Sequence, residues 1–109
     1  MKKYKYLEID NILINLFRRF VINNHIEVVV DDIDINYNLD NLQLDSLDLV
    51  EIVMDIEKTF DIAMEDIYVE EKFSYITNIK YIKDLLREDF SIYDICEVRK
   101  DKINNIIRT

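Results

Sequence analysis

Asp45-Ser46-Leu47-Asp48-Leu49-Val50-Glu51-Ile52-Val53-Met54-Asp55-Ile56-Glu57-Lys58-Thr59-Phe60 decides the fold of this chain. It runs for about four helical turns with no glycine or proline to stop it. At 3.6 residues per turn, Leu49, Ile52, Val53, Ile56 and Phe60 fall on one stripe, wide enough for a core face. Leu47, Val50 and Met54 make a second, shorter strip among Asp45, Asp48, Glu51 and Asp55. A small bundle needs only one buried face per helix, so the second strip reads as a docking surface. Ser46 opens the helix, where the first amides lack intrahelical partners and the dipole is positive. A phosphate on that hydroxyl would sit where an anion is favoured. The commoner use of Asp45 or Ser46 at such a place is to cap the helix.

Downstream, residues 61–65 read as a loop and residues 66–72 as a short helix presenting Ile67 and Val69, ending near Phe73. Ser74 or Thr77 is placed to cap a further helix whose buried face holds Ile76, Ile79, Ile82 and Leu86. Tyr68, Tyr75 and Tyr81 are expected to lay their rings on the core edge with hydroxyls in water. Upstream, Ile9, Ile12, Leu13, Leu16, Phe17 and Phe20 recur at helical spacing over about residues 7–22. Arg18 and Arg19 suit the end of that helix, and Asn23-Asn24 is its stop. His25 stands alone at the helix end, with no partner residue type nearby for metal or acid–base chemistry.

Residues 27–42 are ambiguous. Ile33, Ile35, Tyr37 and Leu39 alternate with Asp and Asn as in a strand, but no second strand is available to pair with it. The same region imitates a calcium loop with Asp32, Asp34, Asn36, Asn38 and Asp40. Its sixth position is Tyr37 rather than glycine and its twelfth is Gln43 rather than glutamate, so calcium is not expected. Residues 1–6 are expected to fray. In residues 88–109, Ile92, Ile95, Cys96, Ile103, Ile106 and Ile107 partly keep a helical period, interrupted by Arg99, Lys100 and Lys102. A fifth helix folded on the bundle is the first expectation, a partner-binding tail the second, a frayed end the third. Cys96 on that face reads as a small buried hydrophobe.

Composition sets bounds on function. With 109 residues, half of them apolar and 34% charged, one modest core is expected. The net charge of −9, from 23 acids and 14 bases, excludes a nonspecific nucleic-acid binder and fits attraction to basic partners. One cysteine forms no intramolecular disulfide. No run is long enough for a membrane span and no signal-peptide core follows the first lysines, so a cytoplasmic monomer is expected. Glycine is absent, so any left-handed helix end must use asparagine or carry strain.

The run Leu42-Gln43-Leu44-Asp45-Ser46-Leu47-Asp48-Leu49-Val50-Glu51-Ile52-Val53-Met54 closely resembles the phosphopantetheine-attachment region of acyl carrier proteins. It departs from that family at Gln43, where glycine is usual, and at Leu49, where a polar residue is common. The similarity extends over about residues 7–87 and stops short of residues 88–109. It implies an all-α, four-helix acyl-carrier-like bundle with a long irregular loop between the first two helices. The expected boundaries are a carrier domain at 1–87 and a helical C-terminal extension at 88–109.

By the same resemblance the protein is not an enzyme. It carries acyl intermediates as thioesters on a 4′-phosphopantetheine arm, attached to Ser46 by a phosphopantetheinyl transferase from coenzyme A with Mg²⁺. Asp45 would help orient that modification. Leu47, Asp48, Val50, Glu51, Met54, Asp55 and Glu57 would meet the basic docking patches of acyl-transferring and condensing enzymes. Ile56 and Ile67 would border an acyl pocket between the second and third helices. Fatty-acid or related biosynthesis is the expected setting, with polyketide or aminoacyl cargo as an alternative. The competing class is an unmodified acidic helical interaction module in which Ser46 is only a cap.

Overall fold

The computed structural model describes residues 8–93. Its four α-helices are α1 (Ile9–Asn23), α2 (Ser46–Phe60), α3 (Asp66–Phe73) and α4 (Ile79–Phe90). The long connection between α1 and α2 contains two 3₁₀ turns, Val30–Asp32 and Leu39–Leu42. Among the described residues the chain is all-helical, as the heptad-like stripes require, and no helix is long and apolar enough to cross a membrane.

α1 is the central element and packs against both α2 and α4. It buries Ile9, Leu13, Leu16, Phe17, Phe20 and Val21, while α2 contributes Ile52, Val53, Ile56 and Phe60. α4 adds Ile79, Ile82, Leu85 and Leu86. A Lys83–Asp10 ion pair of 2.8 Å ties α4 to the start of α1. The core continues past residue 87, since α4 runs on to Phe90 and Ile92 is buried. The expected fifth helix, including Cys96, and the expected fraying of residues 1–6 lie outside the described residues.

The alternation in the α1–α2 connection is real, although no strand forms. Ile33 and Leu39 are buried and Ile35 and Tyr37 half-buried, whereas Asp34, Asn36 and Asn38 are exposed. The α3–α4 connection, the first turn of α4 and Arg18 of α1, not a second strand, meet its backbone. Lys80 donates its amide to Ile35 O at 3.0 Å, and the Leu39 amide donates to Thr77 O at 2.9 Å. Arg18 donates to Ile33 O at 3.0 and 3.2 Å and to Asp31 O at 3.3 Å. This corrects the dipole role expected for Arg18 and Arg19: α1 runs on to Asn23, and its last turn holds no base. The polar residues that imitate a calcium loop shape this segment locally, with Asp34 accepting from the Asn36 amide and Asn38 from the Asp40 amide.

Among the described residues four take left-handed backbone angles, and none of these is asparagine: His25, Gln43, Asp61 and Ser91, with φ between 50° and 54°. At the end of α1 the asparagine is used differently. The Asn24 side-chain amide donates to Phe20 O at 2.9 Å, while His25 takes the left-handed position next to it. The His25 amide then reaches Ile22 O and the Ile26 amide reaches Val21 O, a Schellman closure. Gln43, at the position where the resemblance leads one to expect glycine, holds φ 50° and ψ 50° as the cap of the second 3₁₀ turn. A Cβ in that conformation costs about 1–2 kcal/mol, only part of which glycine's extra chain entropy would offset. Gln43→Gly is therefore expected to stabilise the domain by about 1 kcal/mol, raising Tm by roughly 4–8 °C in a thermal melt.

Three further expectations change at the α3–α4 end. The cap of α4 is Asn78, whose Oδ1 accepts the Tyr81 amide at 2.9 Å. Ser74 lies one turn too early, and its hydroxyl donates back to Glu70 O. Ile76 precedes α4 and is half-buried. Of the three tyrosines, only Tyr75 is largely solvated. Tyr81 donates to Lys72 O at 2.8 Å, and Tyr68 donates to Asp89 Oδ2 at 2.7 Å while its ring meets Phe90 edge-on at 5.3 Å.

Burial first, then the hydrogen bond and charge of Asp89, raise the Tyr68 hydroxyl well above its ordinary pKa, with smaller contributions from Tyr81 and Glu88. The folded state thus keeps a proton that the unfolded chain begins to release near pH ~10, so ν_U falls below ν_N and stability declines. Urea midpoints are expected to fall between pH ~8 and ~10.5, and to fall less in Tyr68→Phe.

Candidate functional site

The start of α2 is built by a reciprocal cap. Asp45 stands before the helix in an extended conformation, and its Oδ1 accepts the Asp48 amide at 2.8 Å. Asp48 Oδ2 in turn accepts the Asp45 amide at 3.1 Å. Both carboxylates are thereby committed to backbone amides, and Ser46 becomes the first helical residue. Its side chain is exposed, and its hydroxyl makes no hydrogen bond among the described residues. This overturns the reading of Ser46 as only a cap, because Asp45 performs that role. The spacing Asp45-x-x-Asp48, an acidic variant of the capping box, was the available signal for it.

A cavity of about 190 Å³ is lined in part by residues that flank Ser46 in the chain. Gln43 and Leu44 from the approaching loop line it, as does Leu49 one turn into α2. Leu39, Phe73 and Ile76 complete its apolar wall, with Asp40 and Ser74 at its polar edge. Leu49, assigned from periodicity to the core stripe, is half-buried and faces this cavity. Phe73 and Ile76 are distant in sequence and carried no motif, so only folding joins them to Ser46.

The two residues expected to border an acyl pocket differ in burial. Ile56 is fully buried in the core, and Ile67 is 61% exposed. α3 has eight residues, and its phase turns Phe73, Tyr68 and Val69 toward the bundle, leaving Ile67 on the opposite side. Neither residue lines the groove between α2 and α3. That groove is formed by Val50, Val53, Met54, Glu57, Met64, Asp66, Val69 and Glu70.

The second strip on α2 is solvated: Leu47 is 78%, Val50 53% and Met54 50% exposed. Met54 is therefore not an ordinary core residue. Its acidic neighbours are less uniform. Glu51 is exposed and accepts from Asn24 Nδ2 at 3.1 Å, Asp48 is committed to the cap, and Asp55 is half-buried. Glu57 accepts the Met64 amide at 2.8 Å, so its carboxylate fastens the α2–α3 loop.

The geometry suits a covalently attached anionic group. An unbonded, exposed hydroxyl stands at a helix start, between Leu44 and Leu49, which line an open cavity. Residues 22–71, from the end of α1 into α3, match the family model described as phosphopantetheine attachment site. That match supports an acyl carrier protein-like, phosphopantetheine-carrying carrier domain and implies a covalently attached 4′-phosphopantetheine arm.

Proposed function

We propose that this carrier bears its arm on Ser46 and presents acyl intermediates to enzymes of fatty-acid or related biosynthesis. The observation supporting it most is the exposed Ser46 hydroxyl at the first turn of α2, relieved of capping by Asp45. A phosphopantetheinyl transferase using Mg²⁺ would transfer the phosphopantetheine phosphoryl of coenzyme A to Ser46 Oγ, forming a phosphodiester as the coenzyme's P–O–P bond breaks, its nucleotide half leaves as 3′,5′-ADP and the hydroxyl proton is lost to base. When bound, the group supplies a thiol on which an acyl chain is held as an activated thioester.

In this reading the chain's own residues bind and position, and it is not itself a catalyst. Asp45 fixes the helix start and so the direction of the Ser46 side chain. The cavity walled by Leu39, Leu44, Leu49, Phe73 and Ile76 offers apolar shelter to the arm or the first part of its cargo. Such burial contributes roughly 0.8 kcal/mol per methylene. Leu47, Val50 and Met54 serve as a small apolar anchor for partner enzymes. Asp48, Glu51 and Asp55 give the surrounding negative field that steers basic patches toward it. Glu57 contributes charge to that field while holding the loop. The carrier acts as a cytoplasmic monomer. Incubation with coenzyme A, Mg²⁺ and a promiscuous transferase, followed by intact-protein mass measurement, tests the assignment to Ser46.

A further inference from the structure

Charge in this chain is segregated along its length. Between residues 45 and 71 the single base is Lys58, set among acids of α2 and α3. Residues 99–108 reverse the balance, with Arg99, Lys100, Lys102 and Arg108 against the lone acid Asp101. The same stretch carries Ile103, Ile106 and Ile107. It thus combines the charge and apolar content that would complement the groove between α2 and α3. That groove, about 280 Å³, has Val50, Met54, Met64 and Val69 on its apolar side and Asp66 and Glu70 on its acidic rim.

The place where the described chain ends makes the match local. Asp89 and Phe90, at the end of α4, are held against Tyr68 of α3 by a hydrogen bond and a ring contact. Val69 and Glu70, the next residues of α3, line the groove. A helix is about 10–12 Å across. The described chain ends at Tyr93, beside Asp84, Arg87 and Glu88 of α4, and the five residues 94–98 can span about 17 Å beyond it.

We propose that residues 99–109 occupy the α2–α3 groove of their own chain, with the isoleucines on Val50, Met54 and Val69 and the bases on Asp66 and Glu70. Tethering supplies an effective concentration on the order of millimolar, so a weak contact suffices. The segment then competes for the surface that a partner enzyme would use. The contact itself does not depend on modification of Ser46, so it is tested on the unmodified full chain.

Zero-length carbodiimide crosslinking, with peptides identified by mass spectrometry, is the test. The expected result is crosslinks joining Lys100 or Lys102 to Asp66 or Glu70, within one chain in a mixture of isotopically light and heavy protein. Ile103→Asp/Ile106→Asp keeps both lysines and should lose those crosslinks, with helical circular dichroism of the bundle retained. Undiminished crosslinks in that variant would mean random collision and overturn the proposal. Light–heavy crosslinks would assign the groove to a second copy. Crosslinks to other faces alone, or none, would equally overturn it.

Discussion

Ser46→Ala is expected to abolish the mass gain of one phosphopantetheine group while leaving the bundle folded. The two halves of this result have separate causes. The hydroxyl oxygen is the atom that the phosphodiester requires, and alanine has no substitute for it. The fold does not need that oxygen, because Asp45 and Asp48 satisfy each other's amides and Ser46 is exposed. Unfolding free energy should therefore change by less than about 0.5 kcal/mol, as for other surface substitutions. Asp45→Ala is the informative contrast. It removes the cap and should cost about 1 kcal/mol. A protein modified equally well with alanine at position 46 would require another attachment residue. A bare Ser46 in the presence of active transferase and coenzyme A would return the chain to a binding role without the arm.

Phe17→Ala carries the largest expected loss of stability. Phe17 is fully buried on α1, the helix that packs on both α2 and α4. Truncation removes transfer energy and leaves a cavity that three helices cannot all close, at a cost of about 3–5 kcal/mol. A domain of this size holds about 5–15 kcal/mol in total, so the variant should be close to unfolding. In urea the midpoint should drop by more than about 1 M. Ile67→Ala, by comparison, removes a similar apolar surface from a position 61% exposed and should be nearly silent. A large effect there would restore Ile67 to the interior and revive the pocket expected between it and Ile56. Together the pair separates apolar residues that build the bundle from those that merely ride on it.

Sequence periodicity alone was enough to define α1, α2 and most of their core faces. Ile52, Val53, Ile56 and Phe60 are buried because a 3.6-residue repeat leaves them no other common direction. The same repeat put Leu47, Val50 and Met54 outside, and the Asp-Ser pair announced the helix start. Local signals were weaker where two polar residues competed for one task. Asp45 rather than Ser46 became the cap, and Asn78 rather than Ser74 or Thr77, because each cap needs a side-chain oxygen within reach of an amide two or three residues on.

What sequence could not supply was anything requiring two distant segments to meet. The alternating segment before α2 looked like a strand, yet the backbone of Lys80 and Thr77 and the side chain of Arg18 took the hydrogen bonds a second strand would have offered. Leu49 left the core stripe for a cavity whose far wall is Phe73 and Ile76, and Ile67 turned outward because a two-turn helix can present only one side to the bundle. The serine proposed for attachment and its helix were thus written in adjacent residues. The shelter beside it was decided by packing, since its walls come from segments that only the closed bundle brings together.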